Sequence, residues 1–242
     1  MSDVVIEQPG LQGSPVGWIE QFADLEKVNV IQEYDTGANC FQSCQCCVPS
    51  WRHKTFKITD ENEQEILKGE DETEGIFCCC SSVILGCFGC GPSLTYEFKD
   101  QLEQRVLKLT HPIRCCGRTI EMSGPDGNVL AAVNKTFSIC SALDFDIVDN
   151  DGETVFNVSG PSCLSCECGG ITYNVRKDDN DVGEILVSWD GPCGCCCCGC
   201  CDCAMWKFEI KFQRDMDVYQ KLMMVGSVFL IEVMAERMRE GI

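Results

Sequence analysis

Segments in which apolar and polar side chains alternate with a period of two recur along this 242-residue chain, paired across acidic or glycine-containing turns. In LDFDIVDNDGETVFNV, Phe145, Ile147 and Val155 alternate with polar neighbours, and Asp151-Gly152 between the two halves is a hairpin turn signal. The same strand–turn–strand unit recurs in TFKITDENEQEILKG around Asp60, LTYEFKDQLEQRVLKL around Asp100, TIEMSGPDGNVLAAV around Gly127 and ITYNVRKDDNDVGEILVSW around Asp179. Two flanking segments, KVNVIQEY (27–34) and WKFEIKF (206–212), each predict a single strand, which brings the expected total to twelve.

Twelve antiparallel strands can close with no exposed edge, but the bore of such a barrel is too wide for strand side chains alone to fill. A filler is expected, and the pattern supplies one. DVYQKLMMVGSVFLIEVMAERMRE, from Asp217 to Glu240, reads as a helix that opens on an N-cap aspartate and ends with Arg237 and Arg239. It is apolar nearly all round, so it is either buried in a large core or spans a bilayer. Its uninterrupted apolar stretch, Leu222 to Ile231, is about half the roughly twenty residues a bilayer requires, and Lys221 and Glu232 bracket it. The predicted fold is therefore mainly β: a closed twelve-stranded antiparallel barrel around a central hydrophobic C-terminal helix. Residues 1–16 are expected to be a short flexible segment and 17–242 the barrel domain, with its helix at 217–240.

The 23 cysteines change the picture because of where they fall. None lies in a hairpin turn. Cys40, Cys44, Cys46 and Cys47 lie between the first strand and the first hairpin, and Cys78, Cys79, Cys80, Cys87 and Cys90 between the first two hairpins. Cys115 and Cys116 come next, then Cys140, then Cys163, Cys166 and Cys168. The run Cys193 to Cys203 precedes the last strand. Each hairpin returns the chain to the end it left, so turns and connections must occupy opposite rims. One rim is expected to carry Asp60, Asp126, Asp149, Asp151 and Asp178 to Asp181, the other the thiols.

A net charge of −19, with 38 acidic residues against 19 basic, excludes nucleic acid as a partner, since phosphate binding needs a Lys/Arg footprint. It equally disfavours electrostatic adsorption to an anionic leaflet. The N-terminal MSDVVIEQPGLQG has neither a basic n-region nor an apolar h-region, so a cytosolic compartment with reduced thiols is expected, and Ser2 stands where myristoylation needs glycine. Acylation of the thiol rim would anchor such a protein without any basic patch, because two or more acyl chains hold stably where one does not. Isolated Cys140 fits a small buried thiol better. Zinc, or an iron–sulfur cluster, is the competing use: Cys44/Cys47, Cys87/Cys90 and Cys163/Cys166 have the C-x₂-C spacing of thiolate sites.

Conventional catalysis is not expected. His53 and His111 have no nearby Ser/Asp or Cys/Asp constellation, and no nucleophile elbow, P-loop or dinucleotide fingerprint occurs. The turn DDNDVGE from Asp178 departs from an EF-hand loop, with Val182 and Trp189 at ligand positions, and reads as a solvated turn.

The segments FCCCSSVILGCFGCGPSLTYEFKD, HPIRCC, VSGPSCLSCECGG before ITYNV, and FEIKFQRDMDVYQKLMMVGSVFLIEVMAER occur in an order that resembles the phospholipid scramblases of the tubby-like superfamily, over roughly Val16 to Glu236. The resemblance implies a twelve-stranded barrel around the C-terminal helix, palmitate on loop cysteines, and Ca²⁺-activated, ATP-independent movement of phospholipids between leaflets. It also implies residence at the cytoplasmic face of the plasma membrane. The family's palmitoylation cluster falls on Cys115 and Cys116; Cys78, Cys79 and Cys80, and Cys193, Cys195, Cys196, Cys197, Cys198, Cys200 and Cys201, are further lipidation candidates. The family's calcium loop falls just before the helix, where Asp215 and Asp217 match while Ala204 and Trp206 replace expected acidic ligands. Only Pro9 and Pro15 stand where the family carries a Pro-rich segment, so no SH3 or WW partner is expected and protein partners are not read from the sequence. The alternative function is a membrane-tethered lipid-binding or adaptor module without transport.

Overall fold

The computed structural model describes residues 16–34, 54–72, 94–112, 118–135, 143–161, 170–190 and 205–239. The strands are β1 (Lys27–Tyr34), β2 (Lys54–Thr59), β3 (Glu65–Asp71), β4 (Leu94–Lys99), β5 (Arg105–His111) and β6 (Arg118–Ser123), followed by β7 (Val129–Lys135), β8 (Phe145–Asp149), β9 (Thr154–Ser159), β10 (Ile171–Lys177), β11 (Asn180–Asp190) and β12 (Met205–Phe212). Helix α1 (Val16–Ala23) precedes them and helix α2 (Val218–Arg239) follows. Every strand pairs antiparallel with its sequence neighbours, and β1 pairs with β12, so the sheet closes. This is the barrel the alternation predicts.

Period-two positions point into the barrel: Val28 and Val30 on β1, Phe56 and Ile58 on β2, Tyr173 and Val175 on β10, and Phe208 and Ile210 on β12 are all buried. They meet α2, whose residues from Lys221 to Met234 are all buried. A helix buried on every side must be apolar on every side, which is the composition read from the sequence. Phe229 sits at the middle of an aromatic cluster, with ring centroids 4.9 Å from Phe56, 5.2 Å from Phe98 and 5.4 Å from Tyr96. Ser227 donates its hydroxyl to the Met224 carbonyl at 2.7 Å, so this polar group costs little in the core. Gly226 lies against the Met122 sulfur, where a Cβ would have no room. No described helix is long and apolar enough to cross a membrane.

Four of the five hairpins use one and the same turn. Asp60, Asp100, Gly124 and Asp149 each begin it; the amide of the first residue bonds the carbonyl four positions on, and the amide three positions on bonds back to the first carbonyl. The fourth residue takes a left-handed conformation at Glu63, Glu103, Gly127 and Gly152, and a register shift follows beside it in each case. Where aspartate begins the turn, its Oδ1 accepts two further amides, as Asp60 does from Asn62 and Gln64, both at 2.8 Å. The fifth hairpin is tighter: Asp178 and Asp179 both have positive φ, as a two-residue turn matched to strand twist requires.

One element escaped the sequence reading. Helix α1 has eight residues, too few to persist in water alone. It is held by burial of Phe22 against Phe212, with centroids 6.3 Å apart, and by Lys221. The Lys221 ammonium, 1% exposed, reaches out from the first turn of α2 and donates to the carbonyls of Ala23 at 2.5 Å, Leu25 at 2.7 Å and Phe22 at 3.5 Å. Burial pushes its pKa below the ordinary lysine value, and the carboxylates of Asp24, Asp217 and Glu26 oppose that shift.

The shared turn makes a direct prediction. Glu63 and Glu103 hold a conformation that costs a side-chain-bearing residue about 1–2 kcal/mol, whereas glycine there adds about 0.5–1 kcal/mol of chain entropy to overcome. Glu63→Gly and Glu103→Gly are each expected to raise unfolding free energy by about 0.5–1 kcal/mol, and Gly152→Ala to lower it by about 1 kcal/mol. Urea denaturation under reducing conditions measures all three; a less stable Glu103→Gly protein would contradict the turn assignment.

Candidate functional site

Strand direction gives the barrel two unlike poles. The first pole carries the pairs Lys27–Lys211, Thr59–Glu65, Lys99–Arg105, Ser123–Val129, Val148–Thr154 and Lys177–Asn180, with the five hairpin turns beyond them. Asp60, Asp126, Asp149, Asp151, Asp178, Asp179 and Asp181 all lie here, so this is the carboxylate rim anticipated above. Tyr34–Lys54, Asp71–Tyr96, Arg118–Lys135 and Asp190–Met205 mark the second pole.

From this second pole the chain leaves and re-enters the barrel at residues 34/54, 72/94, 112/118, 135/143, 161/170 and 190/205. All 23 cysteines belong to the six segments so bounded, and every one of them lies outside the described residues. That holds for the lipidation candidates Cys78, Cys79, Cys80, Cys115, Cys116, Cys193, Cys195, Cys196, Cys197, Cys198, Cys200 and Cys201 and for the thiolate-site candidates Cys44, Cys47, Cys163 and Cys166. Strand order fixes which segments are neighbours: 162–169, 191–204, 35–53 and 73–93 follow one another around the barrel. They carry three, eight, four and five cysteines, against two in 113–117 and one in 136–142. The segments that leave and re-enter on one side of this pole thus carry most of the cysteines.

Inside the barrel beneath this pole lies a charged cluster. Glu232 of α2 is fully buried and accepts a hydrogen bond from the Lys54 ammonium at 2.8 Å; Lys54 opens β2 and is 8% exposed. The Gln32 amide donates to the same carboxylate at 3.4 Å and the Tyr96 hydroxyl at 3.5 Å. A buried charge is tolerable only when paired and hydrogen-bonded, and these partners come from β1, β2 and β4. In the sequence, Lys221 and Glu232 stand as brackets of the apolar run with no partners evident. They prove to be its two polar anchors, one near each pole. The signal was present, since Lys54 shares the inward phase of Phe56 and Ile58. Beyond Glu232, α2 continues seven residues to Arg239, roughly another 10 Å toward the cysteine pole.

Asp215 and Asp217, matched to a calcium loop, lie at the opposite, carboxylate pole. Asp217 caps α2: its Oδ1 accepts the Gln220 amide at 2.9 Å and its carbonyl accepts the Lys221 amide at 3.0 Å. Asp215 is exposed in the turn before it. Trp206 is buried on β12, and Ala204 lies outside the described residues. Among the described residues, no three acidic, histidine or cysteine side chains gather as a metal site.

Among the described residues, the helix fills the bore closely. The gap between α2 and β5–β7, lined by Leu107, Met122, Leu130 and Leu222 among others, has no room for a water molecule.

A model of the Scramblase family matches residues 56–235, from β2 through the buried length of α2. Among curated proteins, the chain is similar to phospholipid scramblase 2 of Bos taurus, 29% identical over 197 residues that cover 77% of this chain and 62% of that protein. Phospholipid scramblase 2 of Homo sapiens is 29% identical over 74% of this chain and 59% of its own length. For phospholipid scramblase 1 of Homo sapiens the figures are 29%, 74% and 55%. The chain therefore spans less than two thirds of the length of the curated relatives it matches. No solved structure matches it.

The buried pair supports a double-mutant test. Lys54→Met alone leaves Glu232 without its cation and is expected to cost about 3–5 kcal/mol of stability, whereas Lys54→Met with Glu232→Leu should return to within about 1–2 kcal/mol of the parent. Chemical denaturation of the three proteins measures it. Additive losses would mean that the two charges are not coupled.

Proposed function

The chain belongs to the scramblase family, and on that premise we propose that it moves phospholipids between bilayer leaflets without ATP while acyl chains on its cysteine pole hold it at the cytoplasmic face of the plasma membrane. The observation that carries the activity is the family match, which runs through eleven of the barrel's strands and into the plug. Support for the anchor comes from chain topology: every cysteine-bearing segment starts and ends at one pole. With a net charge of −19, attraction to an anionic leaflet cannot do this work, so covalent lipid is the economical device. In this reading the protein is not an enzyme in the bond-making sense; it lowers the barrier to headgroup crossing.

Calcium belongs to this proposal only as a condition to be varied. A Ca²⁺ ion takes six to eight oxygens, while Asp215 and Asp217 gather no third acidic ligand among the described residues and Asp217 spends one oxygen on the α2 cap. Among the described residues, Asp215 and Asp217 do not by themselves make up a calcium site. Zinc competes for the same thiols, since Cys44/Cys47 and Cys163/Cys166 flank the richest segment around the rim.

A second reading is favoured by the filled bore: a membrane-tethered lipid-binding or adaptor module needs a surface and an anchor but no path for headgroups. Reconstitution separates the two. In vesicles carrying a fluorescent lipid on both leaflets, a scramblase is expected to expose the inner-leaflet probe to dithionite, in arms with Ca²⁺ and with chelator. No protein-dependent loss of the protected signal in either arm would leave only the tethered module.

The anchor is tested independently of transport. Neutral hydroxylamine cleaves thioesters, so treating membranes that contain the protein is expected to move most of it to the soluble fraction. Retention on the membrane would exclude S-acylation as the anchor.

A further inference from the structure

At the carboxylate pole, a cleft of about 240 Å³ separates the β10–β11 hairpin from the link between β12 and α2. Phe156, Val182 and Met216 give it apolar walls; Lys177, Asp215, Gln213 and Gln220 give it polar ones. Val182 is the extra residue of a β-bulge, since Val175 pairs with Gly183 and Arg176 with Asp181. Bulges of this kind break strand alternation and re-aim side chains beside binding sites. The Gln213 amide is fixed on the Val182 carbonyl at 2.9 Å, and the Met216 amide on the Gln213 carbonyl at 3.0 Å, which ties both walls at one edge.

The cleft carries one charged group of each sign, Lys177 and Asp215. Arg176, next to Lys177, is engaged by Asp181 at 3.0 Å. Lys177 and Asp215 carry opposite charges and line the same cleft, yet among the described residues neither joins an ion pair within 4.0 Å. Space separates a cation from an anion. Asp178, Asp179 and Asp181 share the hairpin with Lys177 and Asp217 the link with Asp215, so the rim's net negative field disfavours a simple anion, and a simple cation meets Lys177. A molecule carrying both charges satisfies both groups, and the two glutamines can donate to or accept from its remaining polar atoms.

We propose that this cleft binds a small zwitterion, its acidic group toward Lys177 and its ammonium toward Asp215. The volume falls just below the usual range for drug-sized ligands and suits a molecule the size of a phosphorylated amine. That chemistry has two sources, a free metabolite or a phospholipid headgroup. β10 and β12, of seven and eight residues, put the cleft roughly 23–27 Å from the cysteine pole, so a membrane held at that pole would not present its headgroups here. The free zwitterion is the expected source. Binding of a zwitterion stands on the cleft and does not depend on lipid movement, while the choice of the free compound as source rests on the proposed anchor at the other pole.

Calorimetric titration of the full, reduced chain with O-phosphoethanolamine, in the presence of chelator, tests it. Saturable binding with a Kd on the order of 1 mM is expected, with inorganic phosphate or ethanolamine alone binding several-fold more weakly. Lys177→Gln and Asp215→Asn should each weaken binding about threefold to fivefold, the size of partly exposed charge contacts, with unchanged thermal unfolding. Co-sedimentation with phosphatidylethanolamine vesicles forms the second arm. Variant-sensitive vesicle binding without binding of the free compound would assign the headgroup as the source. If neither probe binds saturably, or if both variants bind as the parent does, the proposal falls.

Discussion

A closed wall of twelve strands encloses more width than its own inward side chains can fill, and the rest of this molecule follows from how that space is occupied. One helix takes it. Because wall surrounds it on every side, α2 cannot be amphipathic, and it is buried without interruption from Lys221 to Met234. The same demand gives it the look of a membrane span, and length separates the two meanings. Lys221 and Glu232 lie eleven residues apart, about 16 Å along the axis, and bind different parts of the shell: the end of α1 in one case, β1, β2 and β4 in the other. Apolar packing holds the plug in, but it is indifferent to small slides and rotations. Two directional anchors fix its register, at the cost of burying charge.

Moving α2 from the barrel into water would expose its apolar side chains from Leu222 to Met234, on the order of 20 kcal/mol at about 1.5–3 kcal/mol each. That exceeds the whole stability of a typical domain. The barrel and plug therefore act as one body in solution, and the bore does not open as a route for polar headgroups. Lipid movement by this chain has to use an outer surface or a disturbed bilayer beside it. This constraint directs attention from the interior to the rims.

How much of this the sequence contained depends on the range of the information needed. Strand positions and hairpin parity were legible because period two and the aspartate or glycine of each turn are local signals; β1 was found at its exact bounds, and the predicted plug, 217–240, differs from α2 by one residue at each end. Closure followed from counting. Helix α1 was not legible, because an eight-residue segment draws its stability from Phe22 on Phe212 and from Lys221, contacts nearly two hundred residues away in sequence. Lys54 with Glu232 failed for the same reason, although each was odd in its own context: a lysine in phase with Phe56, a glutamate inside an apolar run. The turn reading missed its commonest form, because Glu63 and Glu103 occupy the left-handed position where glycine would have signalled it.

The two poles then set what each rim can contact. The hairpin rim concentrates carboxylates whose oxygens largely serve the turns themselves, as Asp60, Asp100 and Asp149 do for two amides apiece. Its negative field would repel an anionic leaflet, and so would favour the other rim toward such a membrane. Repulsion alone orients without binding, and the proposed acyl anchor would supply the attachment. Because the four cysteine-rich segments are consecutive around the rim, acyl chains drawn from them would enter the bilayer on one side of the axis. Anchors gathered on one side tilt a cylinder, whereas anchors spread evenly hold it upright. The flank formed by β9 through β12 and β1 through β4 would then approach the lipid, and that flank is where a headgroup-moving surface would have to be found.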